Sequence, residues 1–203
     1  EGNSAATAII SSRDPKYIGV YPLKGKPVNV SEMDHIKLLA NTEFKDLLAI
    51  IGLTIGKEVK SLKDLRFGKI MFASDADPDG WHIISLLTNT FYTFWPELYK
   101  LDFIHIFITP LCKIFTKKET INIYSSNDLE KWRKDNPKEQ CNVKYYKGLG
   151  TSITKEFKEY MDNLSNHMIR LDIEDKEDSD IIEMVLGKKA GSADKRKEWI
   201  SIK

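Results

Sequence analysis

No stretch of this 203-residue chain approaches the run of about 18 apolar residues that a membrane helix needs, so no transmembrane helix is expected. Cysteine is scarce. Cys112 and Cys141 lie far apart and form no CxxC pair, which argues against structural zinc and fits a reducing compartment. There is no internal repeat and no low-complexity tract. Net charge is nearly absent too: 31 basic against 30 acidic residues leave +1, so bulk charge does not advertise nucleic-acid binding. The start, Glu1-Gly2-Asn3-Ser4, has no methionine, no basic region and no apolar region. It reads neither as a signal peptide nor as a natural start, and the chain is expected to be a piece of something longer.

The residues that are present describe a folded globular class, with 41% hydrophobic and 30% charged. Local charge is uneven. Basic residues gather at Lys24 and Lys26, Lys117-Lys118, Lys144 and Lys147, and Lys195-Arg196-Lys197, while acid dominates from Asp172 to Asp180. Such patches suit a basic DNA face and equally an ordinary solvated surface.

Small residues from Ser4 to Ala8 suggest a helix entered through a Gly2 turn. Tyr17 to Pro22 reads as a short strand stopped by proline. Ser31 to Ile51 has helical apolar spacing, with Ser31 as candidate N-cap and a break near Asn41. Lys69 to Ala73 reads as a buried strand, and Gly80 to Leu98 as a helix with Ile83, Ile84, Leu87, Phe91, Phe94 and Leu98 on or near one face. Phe103 to Phe115 reads as strand interrupted at Pro110. Beyond about residue 117, short strands (Ile121–Tyr124, Val143–Tyr146, Ile169–Leu171) alternate with charged helices (Lys155–Leu164, Asp180–Leu186). This order predicts an α/β fold, a parallel sheet flanked by helices over residues 1–117, with a C-terminal α+β elaboration over 118–203.

The most informative stretch is Ser74-Asp75-Ala76-Asp77-Pro78-Asp79-Gly80, between that strand and that helix. In an extended segment alternate residues share a side, so Asp75, Asp77 and Asp79 could line one edge, ~6–7 Å apart. At an effective dielectric of 20 each neighbouring pair would repel by roughly 2.5 kcal/mol. A divalent cation would compensate, and hard oxygen ligands favour Mg²⁺ or Ca²⁺. Ligands of open α/β sheets also bind beyond the carboxyl ends of strands. Three other readings compete. A calcium EF-hand loop begins DxDxDG, but its twelfth position, a bidentate Glu, is Leu86 here. An aspartyl-phosphate phosphatase also places DxD after an apolar strand, yet no downstream partner cluster accompanies it. An Asp-rich helix cap explains Asp79 before Gly80 but not three alternating acids. Glu1, before Gly2 and small residues, is a further acid at a strand-to-helix type of turn, and means little alone.

Taken together, Glu1-Gly2-Asn3-Ser4-Ala5, Pro22-Leu23-Lys24-Gly25-Lys26, Asp75-Ala76-Asp77-Pro78-Asp79-Gly80 and Tyr146-Lys147-Gly148-Leu149-Gly150-Thr151-Ser152 resemble, in order and spacing, the motifs of the toprim region of type IIA DNA topoisomerases. The resemblance covers nearly the whole chain. It departs from the family where Asn3 replaces an aspartate, Lys24 an arginine and Trp81 a small residue; Lys24 keeps charge but loses bidentate phosphate binding. The Tyr145–Ser152 stretch is nearer the eukaryotic than the bacterial form, and divergence elsewhere points to a protist or a large DNA virus.

The resemblance implies a toprim (Rossmann-like) fold and a part in ATP-dependent, double-strand DNA cleavage and religation. It implies that Glu1, Asp75 and Asp77 are catalytic and that Glu1, Asp75, Asp77 and Asp79 hold two Mg²⁺ ions, replaceable in binding by Mn²⁺ or Ca²⁺. It assigns DNA-backbone contact to Lys24, Gly25, Lys26, Lys147, Gly148, Gly150 and His82. It places the tyrosine nucleophile in a winged-helix domain outside this chain, and ATP on another outside domain, so the fragment alone should be inactive. The implied partners are double-stranded DNA, a second copy in the full-length homodimer and the winged-helix domain, with no membrane. The implied location is intracellular: the nucleus if the source is a cell, host cytoplasm or nucleus if a virus. A non-catalytic DNA-gate scaffold, or another toprim enzyme such as a primase or nuclease, are the alternatives. The PLxGK-like and YKGLGTS-like pieces argue against the last.

Overall fold

A computed structural model describes residues 3–31, 33, 35–146, 148–173, 175–187 and 191–201. Its helices are α1 (Asn3–Ser12), α2 (His35–Ala40), α3 (Thr42–Ile51), α4 (Pro78–Phe94), α5 (Glu97–Lys100), α6 (Ser126–Asp135), α7 (Thr154–Asp162), α8 (Lys176–Leu186) and α9 (Ser192–Ser201). Its strands are β1 (Ile70–Ala73), β2 (Ile104–Phe107), β3 (Cys112–Phe115), β4 (Thr120–Ile123), β5 (Asn142–Tyr145) and β6 (Met168–Arg170). They form two three-stranded sheets, in the orders β1-β2-β6 and β4-β3-β5. The fold is α/β, with small sheets flanked by helices, as expected.

The described residues divide into two compact units. The first comprises those within Glu1–Lys24, Ala73–Trp81 and Phe107–Ile169; the second, those within Gly25–Phe72, His82–Ile106 and Arg170–Lys203. In the first unit β3 is the central strand of an antiparallel sheet, with Cys112 opposite Ile123 on β4 and Tyr145 on β5. Cys112, Ile114, Ile123 and Leu129 form a small buried cluster there, with Trp132 and Cys141 packed against it. Both cysteines are free thiols in this apolar setting. Helix α1 packs on α7 and on the 3₁₀ turn Leu149–Thr151, and Ser12 donates to the Thr154 carbonyl at 3.3 Å. Buried His167 lies 4.6 Å, ring to ring, from Tyr160. Its Nδ1 is 3.0 Å from the Ile108 carbonyl; a carbonyl only accepts, so the ring proton sits on Nδ1.

In the second unit the apolar face of α4 supplies Ile83, Ile84, Leu87 and Phe91, all buried. Phe91 stacks on Phe72 at 5.7 Å. Tyr99 is fully buried and its hydroxyl donates to the Thr88 carbonyl at 2.7 Å. Asn89, also buried, donates to Asn29 Oδ1 and Ser31 Oγ, each at 3.1 Å, and Asn29 donates to the Leu186 carbonyl at 2.8 Å. Arg196 donates to the Met184 and Gly187 carbonyls at 2.9 and 3.1 Å, tying α9 to the end of α8. That cation belongs to a helix end rather than to a free basic patch.

Several expected elements shift for local reasons. No strand forms at Tyr17–Pro22: Tyr17 and Ile18 N–H bond to the Asp14 carbonyl, and Arg13 Nε takes the Ile18 carbonyl at 2.8 Å. Those groups are spent on a turn instead of a ladder. Ser31 does not cap a helix; α2 begins at His35 and the Ser31 hydroxyl serves Asn89. The break at Asn41 is real, since Asn41 caps α3 through Phe44 N–H at 2.9 Å. Of the α2 residues expected on the apolar face, Leu38 is buried while Ile36 and Leu39 are exposed. Helix α4 stops at Phe94 because the residue before Pro96 is disfavoured in helical backbone. The 103–115 stretch becomes β2 and β3, which lie in different sheets.

Two outcomes follow. Asn89→Ala leaves the Asn29–Ser31 pair short of its buried donor and should lower unfolding free energy by about 1–3 kcal/mol in denaturant titration; unchanged stability would remove Asn89 from the core network. Burial, the largest cause in each case, holds the pKa values of His105 and His167 below the ordinary range, opposed for His167 by the Ile108 carbonyl. For such depressed groups the unfolded chain takes up protons first. Their stabilisation is therefore present above about pH 6.5 and lost as pH falls through the folded values. Thermal melts should show the midpoint dropping from about pH 7.5 to about pH 5.5, and His167→Gln should flatten part of that drop. A flat wild-type profile would contradict it.

Candidate functional site

Strand β1 delivers the chain into the acidic turn and α4 carries it away. Asp77 immediately precedes α4, and its Oδ1 accepts Gly80 N–H at 2.7 Å, while its carbonyl takes Trp81 N–H at 3.0 Å. That is the N-cap bond, followed by Pro78 at the first helical position, where a missing N–H costs nothing. The cap is thus Asp77, not Asp79. Asp79 stands in the first turn of α4, where an anion suits the helix N-terminus. The strict alternation expected of an extended run therefore ends at Pro78, and the three carboxylates do not follow one edge.

Asp75 is held differently. Its Oδ1 accepts the Leu149 N–H at 2.7 Å, across 74 positions of sequence. This bond joins the acidic turn to the Tyr146–Ser152 motif inside the first unit. Gly148 allows it: a Cβ there would meet the Asp75 carboxylate carbon and both its oxygens well inside contact distance. Gly80 allows the other half of the turn, since a Cβ at that position would overlap the Asp75 carbonyl. The buried Ser74 hydroxyl donates to the Gly80 carbonyl at 3.1 Å and closes the turn on itself.

The segment that holds Asp75 is itself anchored. The Glu156 carboxylate, on the first turn of α7, accepts from Lys144 Nζ at 2.9 and 3.1 Å, from Ile153 N–H at 3.0 Å, and from the Tyr146 hydroxyl. Lys144 also lies 4.8 Å from the centre of the Tyr146 ring. Burial pushes Glu156 upward, but its bonds to Lys144, Tyr146 and Ile153 outweigh that and leave its pKa below the ordinary carboxylate value. Burial and the neighbouring Glu156 push the Tyr146 phenol far up, so it stays protonated. Tyr145 is exposed, with its hydroxyl 3.2 Å from an Arg133 nitrogen that donates to it.

The remaining expected site residues are placed as follows. Lys24 ends a segment of the first unit. Gly25 and Lys26 open the second unit, and Gly25 adopts φ 144° with open space where a side chain would stand. Gly150, in the 3₁₀ turn, also faces open space. His82 and Trp81 are exposed on the first turns of α4. Glu1, Gly2 and Lys147 lie outside the described residues, as does the Asn3 side chain. Gly148 and Leu149 meet Asp75, while Asp77 serves the start of α4. Sequence reading missed Glu156. Its signal was the spacing Ile153-x-x-Glu156 at the head of a helix, disguised because isoleucine stands where a capping serine or threonine is usual.

Among the described residues no group of three or more His, Cys, Asp or Glu side chains is close enough to hold a metal. The donor chemistry nonetheless suits a hard divalent ion. One N–H bond engages one of about four acceptor sites on a carboxylate, so Asp75 and Asp77 each retain oxygen capacity.

The Toprim domain family matches residues 1–111, and the C-terminal associated domain of TOPRIM matches 107–202. DNA topoisomerase 2 of Bombyx mori is 43% identical over 99% of this chain and 13% of its own length. Homo sapiens DNA topoisomerase 2-alpha is 41% identical over 99% and 14%. The crystal structure of the Plasmodium falciparum topoisomerase II DNA-binding, cleavage and re-ligation domain superposes with a TM-score of 0.88 at 35% identity, covering 98% of this chain and 28% of that one. The chain therefore spans only about a seventh of the curated relatives it matches. Across those matches, and on the acidic turn built against its Gly-Leu-Gly segment, the chain belongs to the Toprim domain family.

Proposed function

We propose that this chain is the toprim part of the DNA cleavage and religation core of an ATP-dependent type II DNA topoisomerase. The tyrosine nucleophile and the ATPase domain lie outside it. The observation that carries the reading is its likeness to DNA topoisomerase 2 along 99% of its length. The Asp75–Leu149 bond, which joins two motifs of that likeness, supports it at the level of side chains. The core and its elaboration meet near residue 117.

Glu1, Asp75, Asp77 and Asp79 would hold divalent metal, Mg²⁺ by the hardness of the donors. Such an ion supplies charge neutralisation at the scissile phosphate and the 3′ oxygen. The rest is the work of the protein. Asp75 is oriented by the Leu149 N–H. Asp77 fixes the start of α4 while presenting its second oxygen. Lys24, Lys26 and Lys147 contact backbone phosphates without reading bases, and His82 meets a phosphate from α4. Gly25, Gly148 and Gly150 let backbone approach the duplex. The protonated Tyr146 phenol serves Glu156 and does not act as nucleophile. Partners are double-stranded DNA, a second copy of the protein and its winged-helix domain. The site of action is wherever the DNA lies: a nucleus, or host cytoplasm or nucleus for a viral source. Among the described residues no helix is long and apolar enough to cross a membrane.

Titration calorimetry or Mn²⁺ relaxation should detect divalent-ion binding that the double variant Asp75→Ala, Asp77→Ala abolishes. Gly148→Ala should weaken it by about tenfold or more, because the new methyl must displace the Asp75 carboxylate. Equal binding by all three proteins would sink the metal assignment. For the duplex, Lys26→Ala in the full enzyme should lower the log–log salt slope of binding by about 0.9 and weaken all sequences alike. An unchanged slope would return Lys26 to ordinary surface.

A further inference from the structure

We infer that Glu156 is a positioning residue for the Asp75 carboxylate: it pins both ends of the segment whose middle, Leu149 N–H, holds Asp75. The inference rests on the reading of Asp75 as a metal-binding group and adds the part that sets its orientation.

The bonds around Glu156 divide evenly. One oxygen, Oε1, takes Lys144 Nζ at 2.9 Å and the Tyr146 hydroxyl. The other, Oε2, takes Lys144 Nζ at 3.1 Å and Ile153 N–H at 3.0 Å. A carboxylate offers about four acceptor sites, so this one is saturated. A saturated carboxylate has no capacity left for a metal or for a substrate proton. Its side chain is only 12% exposed, which agrees with a role inside the protein.

What it joins is specific. Tyr146 enters the segment from the end of β5, and Ile153 leaves it at the start of α7. Between them Gly148 lies against the Asp75 carboxylate and Leu149 bonds it. The backbone from 149 to 151 is a single 3₁₀ turn on which α1 packs. Fixing both ends on one group limits how far Leu149 N–H can move from Asp75. Burial makes the Tyr146 end costly to break, because Tyr146 is buried and loss of Glu156 removes its hydroxyl's acceptor.

Glutamine is a partial substitute, which makes the idea testable. With its oxygen towards Ile153, the amide keeps that bond and can donate to the Tyr146 oxygen. Its NH₂ then faces Lys144, donor against donor.

The test is peptide-level hydrogen exchange of the stretch containing Leu149, with Mn²⁺ affinity measured alongside, in the intact protein. Glu156→Ala should speed exchange there, and weaken Mn²⁺, by about tenfold or more. Glu156→Gln should recover part of both. Tyr146→Phe, which removes one hydroxyl, should give a smaller change of the same sign and carries the test if Glu156→Ala does not fold. Asn89→Ala, a stability control in the second unit, should leave Leu149 exchange and Mn²⁺ affinity as in the wild type. Exchange at Leu149 unchanged in Glu156→Ala and Tyr146→Phe, or changed equally by Asn89→Ala, overturns the positioning role. Mn²⁺ binding that survives Asp75→Ala overturns the metal reading instead, and in that case faster Leu149 exchange in Glu156→Ala still supports the pinning of the segment.

Discussion

One hydrogen bond, from the Leu149 N–H to Asp75, ties the acidic turn to the Gly-Leu-Gly segment. A main-chain donor at 2.7 Å from a carboxylate is a charge-assisted bond, stronger than a neutral one. It fixes one oxygen of the acidic turn against a segment 74 positions away, and everything nearby is shaped to permit it. Gly148 has no side chain because the carboxylate occupies that space. Gly80 has none because the Asp75 carbonyl does. Asp77 spends an oxygen on starting α4 directly after the turn.

The charge problem of the turn is solved in layers. Three aspartates within five positions repel one another, and the structure offers each of the first two a backbone N–H. Those bonds leave acceptor capacity on each. The turn therefore gathers acidic side chains at the start of α4, two of them bonded to the main chain. Glu156 stands in contrast. It has a lysine, a phenol and an N–H, and it is spent.

Much of this was legible in the sequence. The strand before the acidic turn, the long helix after it, the break at Asn41 and the α/β class all follow from apolar spacing and caps. The motif set was also legible, because its parts are local and ordered. What was not legible depends on contacts distant in sequence. Tyr17–Pro22 has strand composition, yet Asp14 and Arg13 capture its backbone groups first. Ile36 and Leu39 have the spacing of a buried face, yet only Leu38 is covered. The alternation of Asp75, Asp77 and Asp79 suggested a strand-like edge, but proline at 78 starts a helix as readily as it ends a strand. Glu156 escaped notice because its partners come from a strand, a loop and a helix start that sequence spacing does not bring together.

The central claim is that the turn beginning at Asp75, held by Leu149, is where a divalent cation binds. The most direct measurement is anomalous diffraction from crystals of the protein grown with DNA and Mn²⁺. The account predicts an anomalous peak within coordination distance of Asp75, with the Leu149 N–H still on its other oxygen and Gly148 against the carboxylate. A manganese peak bound elsewhere, with Asp75 turned away from it, would contradict the account.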